Sequence, residues 1–145
     1  MGILSRLTGA VTPQKKATDD VLLLHGMLLM ASADGVMEES ELDTVQAFFS
    51  TLPEFQGKDF RALLEQCNKL LSKYSNLLDS VKALNDLSNE KVKIKCFILA
   101  ADIAMSSGDV DEAEDRLLET MQRMFNLSDE VAEKVLWVLG AKYAI

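Results

Sequence analysis

The chain has 145 residues, 48% of them hydrophobic and 26% charged, with only nine glycines and prolines together. That length buries about 68–70% of the unfolded surface in one domain without disulfides or a structural metal, and the composition excludes disorder. The formal charge is −8; residues 1–18 hold Arg6, Lys15 and Lys16 and no acid, so residues 19–145 carry −11, which excludes a phosphate backbone as partner.

Residues 1–17 read as a basic, apolar leader. Ile3, Leu4, Leu7 and Val11 can share one helix face, which suits a weak interfacial anchor or docking to a membrane protein; the alternative is a frayed end or one folded back. Ser5, Arg6 and Thr8 interrupt the apolar stretch that a secretory signal needs, so the expected location is cytoplasmic, at most peripheral to the inner membrane. The longest apolar run, "VLLLHGMLLMA" at 21–31, has 11 residues and falls short of the roughly 20 that span a bilayer.

The remainder, 18–145, shows helical periodicity nearly throughout and no alternating strand, predicting one all-α domain, a compact bundle of about seven helices. Thr18 or Asp19 caps a first helix reaching about Ala33, apolar on almost every side and therefore central. A second starts near Glu38, carries the stripe Leu42, Val45, Phe48, Phe49, Leu52, and ends before Pro53. A third begins near Lys58, with Phe60, Leu63, Leu64, Cys67, Leu70, Leu71 and Tyr74 in helical spacing. "NLLDSVKALNDLS" gives a shorter helix, and Ser88 opens a buried one through "KCFILAADIAM". Two more occupy about 111–125 and 128–143, the last capped by Ser128, with Asp129 and Glu130 favouring its positive end.

The chain also contains an internal repeat. "DGVMEESE" (34–41) lies over "SGDVDEAE" (107–114), and the apolar stripes continue in register, Val45 over Leu118, Phe48 over Met121 and Leu52 over Phe125. A nearly all-apolar helix precedes each copy. Two pseudo-symmetric halves, about 18–75 and 88–143, are implied. Neither half buries its own central helix, so the two central helices should pack together and bring the acidic turns near each other.

A buried helix ending in "ASADG", then acids and an amphipathic helix, repeated in weaker form and accompanied by "TLPEF" at 51–55, resembles the TerB-like tellurite-resistance family over roughly 18–143. "MGILSRLTGAV" is similar to the leader of such proteins. The resemblance implies a compact helical domain, divalent-metal binding by acids near the repeat turns, and a membrane-protein partner in bacterial responses to tellurite and similar stress. It implies no enzymatic activity. One departure stands out: Ser107 occupies the place of Asp34, with Asp109 two residues later as a substitute.

Eleven of the 23 acids fall within 34–43 and 109–119. Hard oxygen donors at that density suit Ca²⁺, the expected ion, or Mg²⁺, rather than zinc or copper. An EF-hand is excluded: with Gly35 at loop position 6, positions 1 and 3 are Met30 and Ser32, and in the second copy Ile103 and Met105. The candidate ligands are Asp34, Glu38, Glu41, Asp109, Asp111 and Glu114, where Glu38 with Glu41 and Asp111 with Glu114 are three apart and can share a helix face. A competing reading needs no metal: Asp34-Gly35 makes a turn, and acids in a first helical turn gain about 0.3–1 kcal/mol from the dipole. The rival function is a metal-independent scaffold whose acidic face docks a basic loop of a membrane partner.

Other residues carry less. His25, the only histidine, reads as a core or edge residue, and Cys67 and Cys96 as small buried hydrophobes without zinc or redox spacing. Asp102 interrupts an apolar helix and needs either an exposed edge or a partner such as Lys95 or Lys91. Trp137 and Tyr143 read as core or rim packing. No nucleophile-base set, phosphate loop or nucleic-acid stripe is present, so an enzyme is not expected.

Overall fold

The computed structural model describes residues 17–144; the readings made of the leader lie outside the described residues. Six α-helices and two 3₁₀ helices fill this span: α1 Asp19–Ala31, α2 Glu39–Thr51, a 3₁₀ turn Pro53–Phe55, α3 Phe60–Leu71, a 3₁₀ helix Asp79–Asp86, α4 Glu90–Ser106, α5 Glu112–Met124 and α6 Asp129–Tyr143. The described residues contain no strand, and the protein is all-α.

The apolar run 21–31 becomes α1, with every residue but Leu28 buried. Leu22, Leu23, Leu24 and Met27 are wholly enclosed, each contributing about 1.5–3 kcal/mol of transfer free energy. Such a helix needs neighbours on all sides. α4 is its most extensive one, and α2, α3 and the second 3₁₀ helix also pack on it, while α5 and α6 lean on α4. The pairing of central helices expected from the sequence is therefore found. The helices approach tightly at Gly26, where a Cβ would lie 2.7 Å from Cys96 Sγ.

Local chemistry sets the boundaries. Thr18 is the N-cap of α1, and Asp20 Oδ1 accepts the Val21 N–H at 2.9 Å. Asn89, not Ser88, caps α4 by accepting the Val92 N–H at 3.0 Å. Ser88 is drawn elsewhere: its N–H donates to Asp19 Oδ1 at 2.9 Å, tying the start of α1 to the start of α4. Ser128 caps α6 as expected, accepting the Val131 N–H at 3.2 Å. After α2, Pro53 turns the chain so that Phe55 stacks on Phe49 at 4.3 Å, with Phe60 edge-on to Phe49 at 5.0 Å. In the 3₁₀ segment 79–86 the buried residues fall in pairs three apart, Ser80 with Ala83 and Val81 with Leu84, matching 3.0 residues per turn.

Two sequence expectations are corrected. Asp102 pairs with Lys142, at 2.8 and 3.1 Å, and accepts a bond from Tyr143 Oη. Lys95 is occupied by Glu54 across α4 and the first 3₁₀ turn. Trp137 is not packed: it is 76% exposed, with Leu136 and Val138 exposed beside it. The run Val135–Leu139 is apolar on every face, so hydropathy alone cannot tell which face α4 covers.

Candidate functional site

Both acidic turns follow the end of a central helix and close around a glycine. In the first, the Gly35 N–H donates to Ser32 O at 2.8 Å, and Gly35 has φ +94°; in the second, the Gly108 N–H donates to Met105 O at 3.1 Å, with φ +91°. Only glycine enters that region without strain. The helices that follow, Glu39–Thr51 and Glu112–Met124, begin and end at aligned positions of the two copies, so the register of the repeat persists in the backbone.

Side chains hold the two turns differently. Asp34 Oδ1 accepts the Val36 N–H at 3.1 Å, whereas Ser107 Oγ donates to Asp109 O at 3.1 Å. At the start of α5, Asp111 Oδ1 accepts the Glu114 N–H at 2.8 Å and Glu114 Oε1 accepts the Asp111 N–H at 3.0 Å, a closed capping box. At the start of α2, Glu41 Oε1 accepts the Glu38 N–H at 2.9 Å and the Glu38 carboxylate faces the Glu41 N–H, so a capping box stands here too. The capping role foreseen for these acids is thus realised.

All six candidate carboxylates, Asp34, Glu38, Glu41, Asp109, Asp111 and Glu114, line one open cleft of about 420 Å³. Ala31 and Ile103, near the ends of the central helices, complete its wall with the hydroxyl residues Ser40, Thr44, Ser106 and Ser107. Among the described residues, no lysine or arginine lines it. Sequence reasoning missed the role of Ser40 and Thr44; they are four apart on α2, and Thr44 lies three beyond Glu41, the spacing that places side chains on one face. The remaining acids sort elsewhere: Glu112 pairs with Arg116 and Glu119 with Arg123 along the exposed side of α5.

The electrostatics confirm that the halves meet. Glu114, half-buried, has its carboxyl held above the usual carboxylate range, first by burial and then by the negative charges of Asp111, Glu41 and Asp34; the backbone bond from Asp111 opposes this. Asp34 and Glu41 belong to the other turn. The carboxylates nevertheless bound the cleft without converging: among the described residues, no three histidines, cysteines, aspartates or glutamates stand close enough together to hold a metal ion.

Outside the cleft, His25 is buried with Nε2 3.3 Å from Ser80 O, and burial pushes its pKa below the usual value. Burial also pushes the Cys67 and Cys96 thiols up to about 12, leaving both in the unreactive thiol form.

The sequence model of one family, described as Tellurite resistance protein TerB, matches residues 21–135, from α1 into α6 and across both acidic turns. The chain belongs to the TerB family. No curated protein and no solved structure matches it. In this TerB-family fold, the cleft lies where the two central helices end, and no helix among the described residues is long and apolar enough to cross a membrane.

Proposed function

We propose that this TerB-family protein is a non-enzymatic, divalent-metal-binding adaptor of a bacterial stress response of the tellurite-resistance kind, working at the cytoplasmic face with a membrane-protein partner. One observation carries the reading: carboxylates from two turns in opposite halves of the chain line a single cleft to which no described residue contributes a basic side chain. Asp34, Glu38 and Glu41 from one side and Asp109, Asp111 and Glu114 from the other would hold the ion. The donor set is all oxygen, which fits Ca²⁺, with Mg²⁺ the second choice. A bound cation would relieve the mutual repulsion that raises Glu114. Because the carboxylates do not converge, the ion would retain part of its water shell or draw the turns together.

Catalysis has little to work with. The lone histidine is buried and kept neutral, and both thiols are protonated at any physiological pH. The competing function is the metal-independent acidic scaffold, favoured by the use of Asp111, Glu41 and Glu114 as helix caps.

A thermal melt in EDTA and then in graded Ca²⁺, Mg²⁺ and Zn²⁺, at moderate salt, separates the two. The expected result is a saturable rise in Tm with Ca²⁺, absent in Asp34→Asn with Glu41→Gln; cation at about 100 times Kd adds about 2.7 kcal/mol. No shift with any cation would leave the scaffold.

A further inference from the structure

Val36 and Met37 are 61% and 37% exposed, yet both lie inside the acidic stretch 34–41, where solvated polar residues are the rule. Met37 is not isolated. With Leu28, Leu42, Leu64, Leu71 and Leu77 it lines a groove of about 420 Å³ between α1, α2 and α3, within the range of about 300–1,000 Å³ typical of binding clefts. Gly35 lines the same groove, while its neighbours Asp34 and Glu38 line the acidic cleft. One loop therefore presents apolar surface on one side and carboxylates on the other.

The second half provides a comparison. Met105 and Val110, which align with Ser32 and Met37 in the repeat, line a matching groove of about 410 Å³, but Asp115 stands there in place of Leu42 and Glu119 joins it. The two grooves are alike in how much of their lining is apolar, but among the described residues charged side chains line only the second, where the first has the polar groups of His25, Ser32 and Asn68.

We infer that the groove beneath Met37 docks the apolar face of an amphipathic helical segment of a partner protein, whose lysines or arginines lie over the adjoining acidic cleft. Charge complementarity selects this occupant: the adjoining cleft carries Asp34, Glu38 and Glu41, and residues 19–145 carry −11, which repels both an acidic segment and an anionic bilayer. An apolar groove is the usual receptor for such a segment, whose own anchors recur at helical spacing. The inference rests on the adaptor reading and names its partner by chemistry, but it does not require the cation.

The test is fluorescence anisotropy of a labelled 18-residue Leu/Lys amphipathic peptide with the full-length protein, in EDTA so that a failure of cation binding cannot masquerade as a failure of docking. Saturable binding is expected, weakened at least tenfold in Met37→Ser with Leu71→Ser and unchanged in Trp137→Ser. A Gly/Lys peptide of equal charge should bind at least tenfold more weakly. Neither Met37 nor Leu71 is fully buried, and circular dichroism of the double variant checks its fold. Equal binding of both peptides, or an undiminished double variant, would overturn the proposal in favour of nonspecific charge attraction. So would stronger association with phosphatidylglycerol vesicles than with the peptide, or self-association of the free protein that the peptide reverses.

Discussion

The two acidic turns share a backbone and differ in what holds it. Gly35 and Gly108 adopt nearly the same positive φ, and the helices that follow have the same length. In the second turn the acids are used locally: Asp111 and Glu114 close a full capping box, and a serine hydroxyl replaces the Asp34 carboxylate. In the first, Glu38 and Glu41 form the matching box, and Asp34 accepts a backbone N–H within the loop. The two turns thus keep the same backbone and the same kind of capping box, and differ in the side chain that closes the loop, a carboxylate at Asp34 and a hydroxyl at Ser107.

Three experiments would sharpen or break that contrast. The largest effect should come from the shared backbone. Gly35→Ala and Gly108→Ala have open space around the new Cβ, so their cost is the positive φ alone, about 1–2 kcal/mol each. Chemical denaturation should give nearly equal losses, and clearly unequal ones would deny the equivalence of the turns. Next, Asp111→Ala removes a formed cap and should cost about 1 kcal/mol. Glu38→Ala removes the N-cap carboxylate of the first box and should cost less, about 0.5 kcal/mol, because glutamate is not among the favoured N-cap residues. Similar losses at both positions would make the two boxes equally strong.

The smallest effect is a titration. Glu114 has a folded pKa raised above its unfolded value, so the folded state binds a proton more readily than the unfolded one. Its contribution to stability is therefore present at low pH and lost as pH rises through the folded value. Replacing Asp34 with Asn removes one of the charges responsible, and the Glu114 carboxyl should titrate at lower pH, nearer the ordinary carboxylate range, when followed by NMR. An unmoved titration would place the two turns too far apart to share an ion.

Much of this was legible beforehand because helices and turns are local. The central helices announced themselves as apolar runs, and the Asp-Gly turn and the acids that follow it fixed where α2 begins. The convergence of both turns followed from a packing argument, since neither central helix could be buried alone. What escaped the sequence depends on relative helix orientation. Asp102 meets Lys142, 40 residues away, only because α6 packs on α4 with that register. The 3₁₀ form of 79–86 escaped because a three-residue apolar spacing also occurs in α-helices. Met37 escaped because one methionine among acids suggests core filler until the groove beside it is seen.

Trp137, the chain's sole tryptophan, already stands in water in the folded state. Its emission will be red-shifted before any denaturant is added and will change little on unfolding, so an emission-monitored melt would report a nearly featureless curve for a protein that is in fact unfolding. The same indole would respond with a blue shift to anything that covers the outer face of α6, which makes the wild-type chain a label-free reporter for contacts on that side.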